Sequence, residues 1–513
     1  MSNTYRSFGL AAAFAVAALV GGTLLSAVSV SGGLSALAPG DWAAIRFTLW
    51  QAALSALISV ALAIPVARAL ARRQFPGQRL LITLLGAPFI LPTIVAILGL
   101  LMVFGRSGWL NALGGGLHLP EFSIYGAHGV ILAHVFFNLP LATRLLLQGW
   151  QSIPEERLRL AQSLGIRGWT LFRLIEAPML RAVCPGAALA IFLICISSFA
   201  IALTLGGGPR ATTIELAIYQ AVRFDFDLGR AGLLAMMQLA ITVTATLLAL
   251  RIAIPDSMGA GMDRRITSSS RDGILPDTLA IAAASLFLLA PLAALAVRGL
   301  PHVMELPPAV WSSAMRSLMV ASASTLFCVL LSLAIALAAA GGGRRGVLAE
   351  TLGMSALAAS PLVMGIGLFV LIRPVQRPDL AALPVTALVN GIMAVPFALR
   401  ALIPAVARVE RDYGRLAASL GLTGWSRLRL LILPRIRRPL GFAAGLAAAL
   451  SMGDLGVIAL FADGESATLP LQVYRLMSSY RMDQASAGAL LLLLLSLGLF
   501  WICDRGGRKD VDA

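Results

Sequence analysis

Apolar residues along this chain gather in long, nearly uncharged runs that are separated by shorter polar stretches. A helix that crosses the hydrocarbon of a bilayer needs about 20 mainly apolar residues. Twelve runs approach or exceed that length, at 9–31, 48–70, 81–104, 128–149, 186–205, 230–251, 276–298, 315–340, 350–373, 383–404, 440–461 and 486–503. The first run exceeds the apolar core of a signal peptide, which is about 7–15 residues, so we expect it to be retained as an anchor. The pattern predicts an all-α integral membrane protein with about twelve transmembrane helices.

The composition agrees with this pattern. Of the 513 residues, 58% are hydrophobic and 12% are charged, and the mean hydropathy is +0.87. A soluble domain carries about 25% charged residues. Soluble enzymes and nucleic-acid-binding proteins are therefore disfavoured as classes.

The net charge of +16 comes from arginine, because Lys509 is the only lysine. With the N-terminus in the cytoplasm, 29 of the 40 basic residues fall on the cytoplasmic side and 11 on the outer side. This is the positive-inside bias of membrane proteins. It predicts a multi-pass protein with both termini in the cytoplasm, and it explains the charge without nucleic acid. We also expect the inner loops to contact acidic membrane lipid.

The motifs of several chemical functions are missing. Lys509 has the wrong spacing for a G-x-x-x-x-G-K-[ST] phosphate loop, so this chain does not bind ATP through such a loop of its own. The four cysteines and four histidines show no metal-ligand spacing. We expect no catalytic residue, no metal site and no cofactor.

One segment of the chain occurs twice. Residues Leu158–Trp169 recur as Gly414–Trp425 at an offset of 256, and the same offset carries Pro140 onto Pro396 and Pro178 onto Pro434. Both copies fall on the predicted cytoplasmic side, so the repeats are parallel, related by an axis along the membrane normal. The sequence predicts two six-span repeats, 1–254 and 276–513, joined by a polar cytoplasmic linker at 255–275.

The repeated segments lie within two predicted inner loops, 150–182 and 405–438. A capping serine, a proline and the acidic Glu155 and Glu156 favour a helix start after Ser152, and the helix is expected to end at Gly165. The second copy is expected to repeat this plan from Glu410 to Gly421. Small residues would let the backbone of a partner approach closely, namely Ala161, Gly165, Ala417 and Gly421. An amphipathic helix resting on lipid is the alternative, and the duplication favours docking.

The spacing of the segment resembles a known family motif. Its pattern A-x-x-x-G-x₉-[I/L]-x-x-P is read as Ala161, Gly165, Ile175 and Pro178, and again as Ala417, Gly421, Leu431 and Pro434. It resembles the E-A-A loop of ABC importer permeases, which inserts into a groove on the ATPase subunit. Arg159 and Arg415 stand where that family has glutamate, so an acidic contact at those positions is not implied.

Further stretches resemble the fused, two-halved permeases of thiamine and thiamine pyrophosphate importers. They are His134–Pro140 with Arg144–Gln148, Leu205–Pro209 with Thr212–Gln220, Gly453–Phe461, Thr468–Pro470 and Ser479–Arg481. Ferric-iron importers have a similar two-halved permease, so that cargo stays open.

The resemblance implies a type I ABC importer permease in the bacterial inner membrane, which itself makes and breaks no bond. It also implies two copies of a separate ATPase subunit, and a periplasmic thiamine-binding protein. A self-powered secondary transporter, which also uses repeats, and an integral-membrane enzyme are the rival classes. Neither accounts for the duplicated inner segment.

Ionisable and polar residues inside predicted spans are candidates for lining a pathway. Asp454 is the strongest, because an acid would suit a cationic thiazolium ring; at an offset of 255 its counterpart is Phe199. His134 and Asn138 lie one turn apart in the fourth span, and Asn390 lies in the tenth. The alternative is that these groups hydrogen-bond neighbouring helices. The outer segment Thr212–Asp227, which includes Glu215, is expected to meet the soluble binding protein or to be a solvated loop.

Overall fold

The computed structural model describes residues 3–31, 37–78, 81–82, 85, 90–116, 118, 120–208, 211–251, 273–372, 378–462 and 466–508. Over those residues the chain is helical and has no strand. The α-helices of the first half are α1 (Asn3–Ser29), α2 (Pro39–Arg72), α3 (Thr93–Phe104), α4 (Trp109–Gly116), α5 (Ala127–Gln151), α6 (Glu155–Ser163), α7 (Gly168–Leu171), α8 (Ala177–Ile196), α9 (Ala200–Leu205), α10 (Ile214–Arg223) and α11 (Leu228–Arg251).

The second half contains α12 (Ile274–Gly299), α13 (Pro308–Ala340), α14 (Gly343–Gly353), α15 (Pro361–Ile372), α16 (Pro378–Ser419), α17 (Gly424–Arg427), α18 (Leu433–Met452), α19 (Gly456–Phe461), α20 (Leu469–Ser478) and α21 (Met482–Arg508). Short 3₁₀ turns at Leu300–Glu305 and Met354–Ala358 and π-helical turns at Phe172–Glu176 and Leu428–Ile432 complete the described elements.

Within the described ranges, eleven helices are long and apolar enough to cross a membrane, or twelve if a bent pair counts as one span. The prediction of an all-α membrane protein with about twelve spans is confirmed. The bent pair is α14 with α15, which meet at 92° just before Pro361. It replaces the straight ninth span predicted at 350–373. The linker predicted at 255–275 lies almost wholly outside the described residues, as does part of the third span before Pro92.

Two predicted spans are interrupted. The fifth, expected to be continuous over 186–205, breaks between α8 and α9, and the eleventh, expected over 440–461, breaks between α18 and α19. The first break contains Ser197 and Ser198, and the second contains Gly453. Serine competes for backbone hydrogen bonds and glycine weakens a helix, so a helix interrupts at such residues at low cost.

The helix bounds in the two halves match at a constant offset. Helices α7, α8 and α9 begin and end 256 positions before α17, α18 and α19. The offset falls to 255 for α10 and α20. The two breaks thus occupy equivalent positions in the chain. Helices α5, α16 and α18 are the most enclosed of the long helices, and α12 is the most exposed.

Candidate functional site

A cavity of about 380 Å³ lies where elements from the two halves meet. Its walls come from α5 and α16, from the α8–α9 and α18–α19 breaks, and from the first turn of α10. Apolar residues dominate the lining, and the polar lining residues are Thr93, His134, Asn138, Ser197, Ser198, Glu215, Asn390 and Asp454. A mainly apolar cavity with a few convergent polar groups is the usual form of a small-molecule site.

All four residues predicted to line a pathway face this cavity. His134 and Asn390 are equivalent by the offset of 256, so each half contributes a polar residue at the same place on a central helix. Both ring nitrogens of His134 are buried and have no hydrogen-bond partner among the described residues. Polar groups left open in a cavity are available to a ligand or to water.

The two asparagines take part in helix contacts as well. Asn138 Nδ2 donates to the His134 carbonyl at 2.8 Å and lies 3.4 Å from Cys195 Sγ on α8. Asn390 Nδ2 donates to Ser451 Oγ on α18 at 3.2 Å. The expectation that such groups join neighbouring helices therefore also holds, and the two roles are compatible.

Asp454 lies in the break between α18 and α19. Its Oδ1 accepts a hydrogen bond from the Gly456 amide at 3.2 Å, which begins α19. Its Oδ2 is buried without a partner in the described part of the chain. The structure corrects its counterpart in the first half: matching breaks pair Asp454 with Ser198, at an offset of 256, and not with Phe199. The first half thus has a serine, and not a carboxylate, at the position equivalent to Asp454.

Glu215 was assigned by sequence to an outer segment, and the structure places it in the cavity wall instead. It is buried at the start of α10 and accepts a hydrogen bond from Gln238 Nε2 on α11 at 3.2 Å. Thr213 caps this helix through its side chain, which fixes the first turn. The amphipathic pattern of α10, whose inward face holds Glu215, was the available signal.

The cavity favours a positively charged ligand. Among the described residues it is lined by two carboxylates, Asp454 and Glu215, and by no arginine or lysine. The rings of Phe137 and Phe199 also line it, and aromatic faces attract cations. Phe136 packs on Phe137 and on Phe287 rather than lining the cavity, and Tyr219 packs edge-to-face against Phe199.

The first repeated segment folds as a separate short helix. Helix α5 ends at Gln151, and a short non-helical link that includes Pro154 follows it. Helix α6 then begins with Glu155 and Glu156 in its first turn. After α6, the chain turns through Gly165 and enters α7, which continues through a π-turn into α8. Pro178 is the second residue of α8. The start at the acidic residues and the end before Gly165 are confirmed, but the capping role predicted for Ser152 is wrong, because Ser152 closes α5 and its hydroxyl donates to the Gly149 carbonyl at 2.7 Å.

The second repeated segment is built differently. No helix begins at Glu410, because α16 runs unbroken from Pro378 to Ser419. The prediction of a separate start there is wrong. Glu410 stands where the first half has Pro154, and it keeps the backbone amide hydrogen that proline lacks. From Gly421 onward the two segments agree again, and Pro434 is the second residue of α18.

The two turns have the same backbone geometry. Gly165 and Gly421 have φ of +70° and +66°, a left-handed conformation that glycine adopts freely. The amide of Ile166 donates to the Ala161 carbonyl at 2.8 Å, and the amide of Leu422 donates to the Ala417 carbonyl at 2.9 Å. These bonds close each helix in the manner of a glycine C-cap.

The alanines do not offer a surface to a partner. Ala161 and Ala417 are buried beneath their turns, so the prediction that a partner's backbone approaches them is wrong. Exposed instead are large apolar side chains at matching positions: Leu160, Leu164 and Trp169 in the first segment, and Leu416, Leu420 and Trp425 in the second. Exposed apolar side chains that recur in this way are typical of surfaces that contact a protein partner or a membrane.

The first segment is tied to α2, and the second is held together by contacts within itself. Arg68 Nε of α2 lies 2.7 Å from Glu176 Oε2, and its guanidinium lies 5.5 Å from the ring centre of Phe172. In the second segment, Arg427 Nη2 lies 2.5 Å from Glu410 Oε2. The guanidinium of Arg435 lies 3.5 Å from the ring centre of Tyr413.

Known proteins resemble the chain over most of its length, although no protein-family model matches it. It is 42% identical to the thiamine transport system permease protein ThiP of Salmonella typhimurium over 477 residues, which cover 90% of this chain and 89% of that protein. It is 41% identical to ThiP of Escherichia coli over 487 residues, or 92% and 90% of the two chains. For ThiP of Brucella abortus the identity is 41% over 520 residues, or 98% and 96%. This chain therefore belongs to the family of thiamine transport system permease proteins.

Proposed function

We propose that this chain is the membrane subunit of an ATP-driven ABC importer and that thiamine passes through the cavity between its halves. The main support for this proposal is the identity of 41–42% with thiamine transport permeases over about nine-tenths of the chain. The ferric-iron alternative has no support from these relatives. A permease subunit is not an enzyme, and we assign no catalytic residue, metal or cofactor to it.

The chemistry of the cavity supports this cargo. Thiamine carries a permanent positive charge on its thiazolium ring, and the two carboxylates of the lining are Asp454 and Glu215. We assign Asp454 as the group that faces the cationic ring, because its Oδ2 is otherwise unpaired. His134, Asn138 and Asn390 supply neutral polar groups for the remainder of the molecule.

We infer that the two repeated segments couple the permease to a separate ATPase, with one ATPase copy under each segment. Matching exposed leucine and tryptophan side chains support this assignment, as does the lack of a nucleotide-binding loop in this chain. Glu155, Glu156, Gly165, Pro178, Gly421 and Pro434 shape the segments, and Ala161 and Ala417 pack beneath them. Two parallel repeats, 1–254 and 276–513, would then move against each other in alternating access.

The remaining assignments follow from charge and from the proposed partners. We infer from the arginine-rich loops and the positive-inside rule that both termini lie in the cytoplasm and that these loops face acidic lipid. The protein then lies in the inner membrane of a bacterium. A periplasmic thiamine-binding protein would deliver cargo to the opposite face.

Uptake of labelled thiamine tests the proposal. A strain deleted for the gene should regain thiamine uptake, and not ferric-iron uptake, when the chain and its ATPase are restored. Asp454→Asn should lower uptake about tenfold or more, because a charge-assisted contact contributes about 1.5–3 kcal/mol. Asp483→Asn, which removes a carboxylate from an exposed ion pair outside the cavity lining, is the matched control and should retain most uptake. Uptake of iron in place of thiamine would refute the assignment of thiamine as the cargo. An unchanged uptake rate and substrate affinity in Asp454→Asn would show that this residue does not line the pathway.

A further inference from the structure

The equivalent positions of His134 and Asn390 are used differently in the two halves. In the second half, Asn390 Nδ2 donates to Ser451 Oγ at 3.2 Å, and Ser451 Oγ lies 2.9 Å from Ser324 Oγ on α13. These hydrogen bonds join α16, α18 and α13 in one row. Helix packing therefore accounts for the polar residues at these positions of the second half.

The same row is not closed in the first half. Its members are His134 and Cys195, at the offset of 256, and Ser55, at the offset of 269 that separates the starts of α2 and α13. Both ring nitrogens of His134 and the hydroxyl of Ser55 are buried and have no partner among the described residues. Cys195 is contacted by Asn138 instead, at 3.4 Å. Helix packing therefore does not account for the imidazole.

The imidazole of His134 has the properties of a ligand-binding group. It lines the cavity and is only 2% exposed. A buried polar atom without a hydrogen bond costs free energy, so nearly all such atoms are paired. A neutral imidazole has one donor and one acceptor nitrogen, and a positively charged cargo in the same cavity disfavours the protonated form. His134 can therefore accept a hydrogen bond from an N–H group of the cargo.

The unpaired carboxylate oxygen of the cavity belongs to the other half. Asp454 Oδ2 has no partner in the described part of the chain, whereas Glu215 accepts a hydrogen bond from Gln238. An unpaired carboxylate attracts the positive end of a ligand. Ser198 occupies the position of Asp454 in the first half. A cargo that spans the cavity thus meets a carboxylate in the second half and an imidazole in the first.

The two rings of thiamine match these two sides. The thiazolium ring carries the positive charge, and the neutral aminopyrimidine ring carries an amino group that donates hydrogen bonds. We propose that His134 is the specificity-determining residue for the aminopyrimidine ring: it accepts a hydrogen bond from the amino group while Asp454 faces the thiazolium ring. This inference rests on the proposed function, since it assigns one part of the same cargo to the first half of the same cavity.

Uptake of thiamine and of its analogue without the amino group tests this assignment. The importer is reconstituted in lipid vesicles with its ATPase and binding protein, and kcat/KM for uptake is measured for both compounds. The preference for thiamine should fall about fivefold or more in His134→Leu, because the variant has no acceptor for the amino group. The binding protein is the same in every experiment, so its own selectivity cancels. The ratio also does not depend on how much of the variant folds.

Two further variants of His134 separate the acceptor from the shape of the side chain. His134→Gln keeps an acceptor and should regain part of the preference. His134→Phe keeps a ring but has no acceptor, so it should lose the preference as His134→Leu does. The phenylalanine variant also decides the question if the leucine variant does not accumulate in the membrane.

The matched comparison in the other half is Asn390→Leu. It breaks the link to Ser451, so it should lower uptake of both compounds by a similar factor and leave their ratio unchanged. Asp454→Asn should also lower the uptake of both, since both carry the thiazolium charge. If the ratio changed as much in Asn390→Leu as in His134→Leu, the proposed orientation would be overturned.

The remaining outcomes distinguish this inference from the proposed function. An unchanged preference in both His134→Leu and His134→Phe overturns the inference, because the imidazole then contacts water or the protein and not the amino group. Thiamine uptake by the wild-type importer leaves the proposed function intact in that case. If the wild-type importer takes up neither compound, the proposed function fails first.

Discussion

The two coupling segments share one sequence plan but are attached to the bundle in different ways. In the first half, Pro154 separates α6 from the preceding span, and the Arg68–Glu176 ion pair ties the segment to α2. In the second half, α16 carries the segment as a direct extension of a span, and the Glu410–Arg427 pair ties it to itself. One half thus has a jointed segment and the other a continuous one, and the half with the joint is the one that has proline at the equivalent position, 154 against 410.

The cavity lining also differs between the two halves. Asp454 in the second half has Ser198 as its counterpart, and Glu215 in the first half has Pro470 as its counterpart at the offset of 255. Each half therefore supplies one carboxylate, from a different element. A pseudo-symmetric frame with an asymmetric lining can hold an asymmetric molecule in one orientation.

The strongest way to break the comparison is to give the second half the proline of the first. Glu410→Pro should interrupt α16, since proline in a helix interior costs about 3 kcal/mol or more. We expect more than a tenfold loss of thiamine uptake, and we expect ATP hydrolysis to be no longer coupled to transport. Glu410→Gln is the control, because it removes the charge and keeps the helix. Wild-type uptake in Glu410→Pro would show that helix continuity has no role in coupling.

A smaller effect is expected when the tie between the first segment and α2 is cut. Glu176→Gln leaves the Arg68 guanidinium without its carboxylate, and Glu176 is buried. Breaking a fully buried pair costs about 3–5 kcal/mol. Here the arginine side chain is 27% exposed, so we expect about 1–2 kcal/mol, visible as a lower melting temperature and weaker coupling.

The exposed Arg159–Glu155 pair provides the control for that experiment. Both side chains are more than half exposed, and such a helix pair contributes about 0.3–0.5 kcal/mol. Glu155→Gln should therefore leave the melting temperature unchanged. If Glu155→Gln lowered the melting temperature as much as Glu176→Gln does, the loss of any charge in this segment would be destabilising. The ion pair with α2 would then have no special role.

The smallest effects should come from the two turns, and they should be equal. A methyl group added at Gly165 or Gly421 meets nothing within 4 Å, so the change acts only through the left-handed backbone. Gly165→Ala and Gly421→Ala should each cost about 1 kcal/mol and lower the thiamine transported per ATP a few-fold. If one variant were silent and the other severe, the turns would not be equivalent in coupling.

The sequence predicts the spans well because length and hydropathy decide them, and it predicts the first turn well because Gly165 and the acids after Pro154 are local signals. Breaks and continuity are harder to predict. The interruptions before α9 and α19 lie inside apolar runs, so the hydropathy pattern does not reveal them. The helix start predicted at Glu410 was wrong. The prediction carried the start over from the first copy, where the equivalent position holds Pro154 and not glutamate.

The cavity residues illustrate the same limit. Span position was enough to select Asp454, His134, Asn138 and Asn390, since polar groups are rare at that depth. Glu215 was missed because its segment is too short and too amphipathic to cross a membrane, and only the folded chain shows that α10 turns back against the central helices. Burial of Ala161 and Ala417 likewise depends on tertiary packing.

The π-helical turns at Phe172–Glu176 and Leu428–Ile432 each hold a hydrogen bond across five residues instead of four, from Ala177 to Phe172 and from Leu433 to Leu428. Such a turn accommodates one additional residue, and one residue corresponds to about 100° of rotation about a helix axis. The direction in which Trp169 and Trp425 point therefore depends on this local underwinding as well as on the orientation of the spans. Removing a single residue from either turn would swing its tryptophan around the axis by more than a quarter of a circle and leave the membrane bundle as it is.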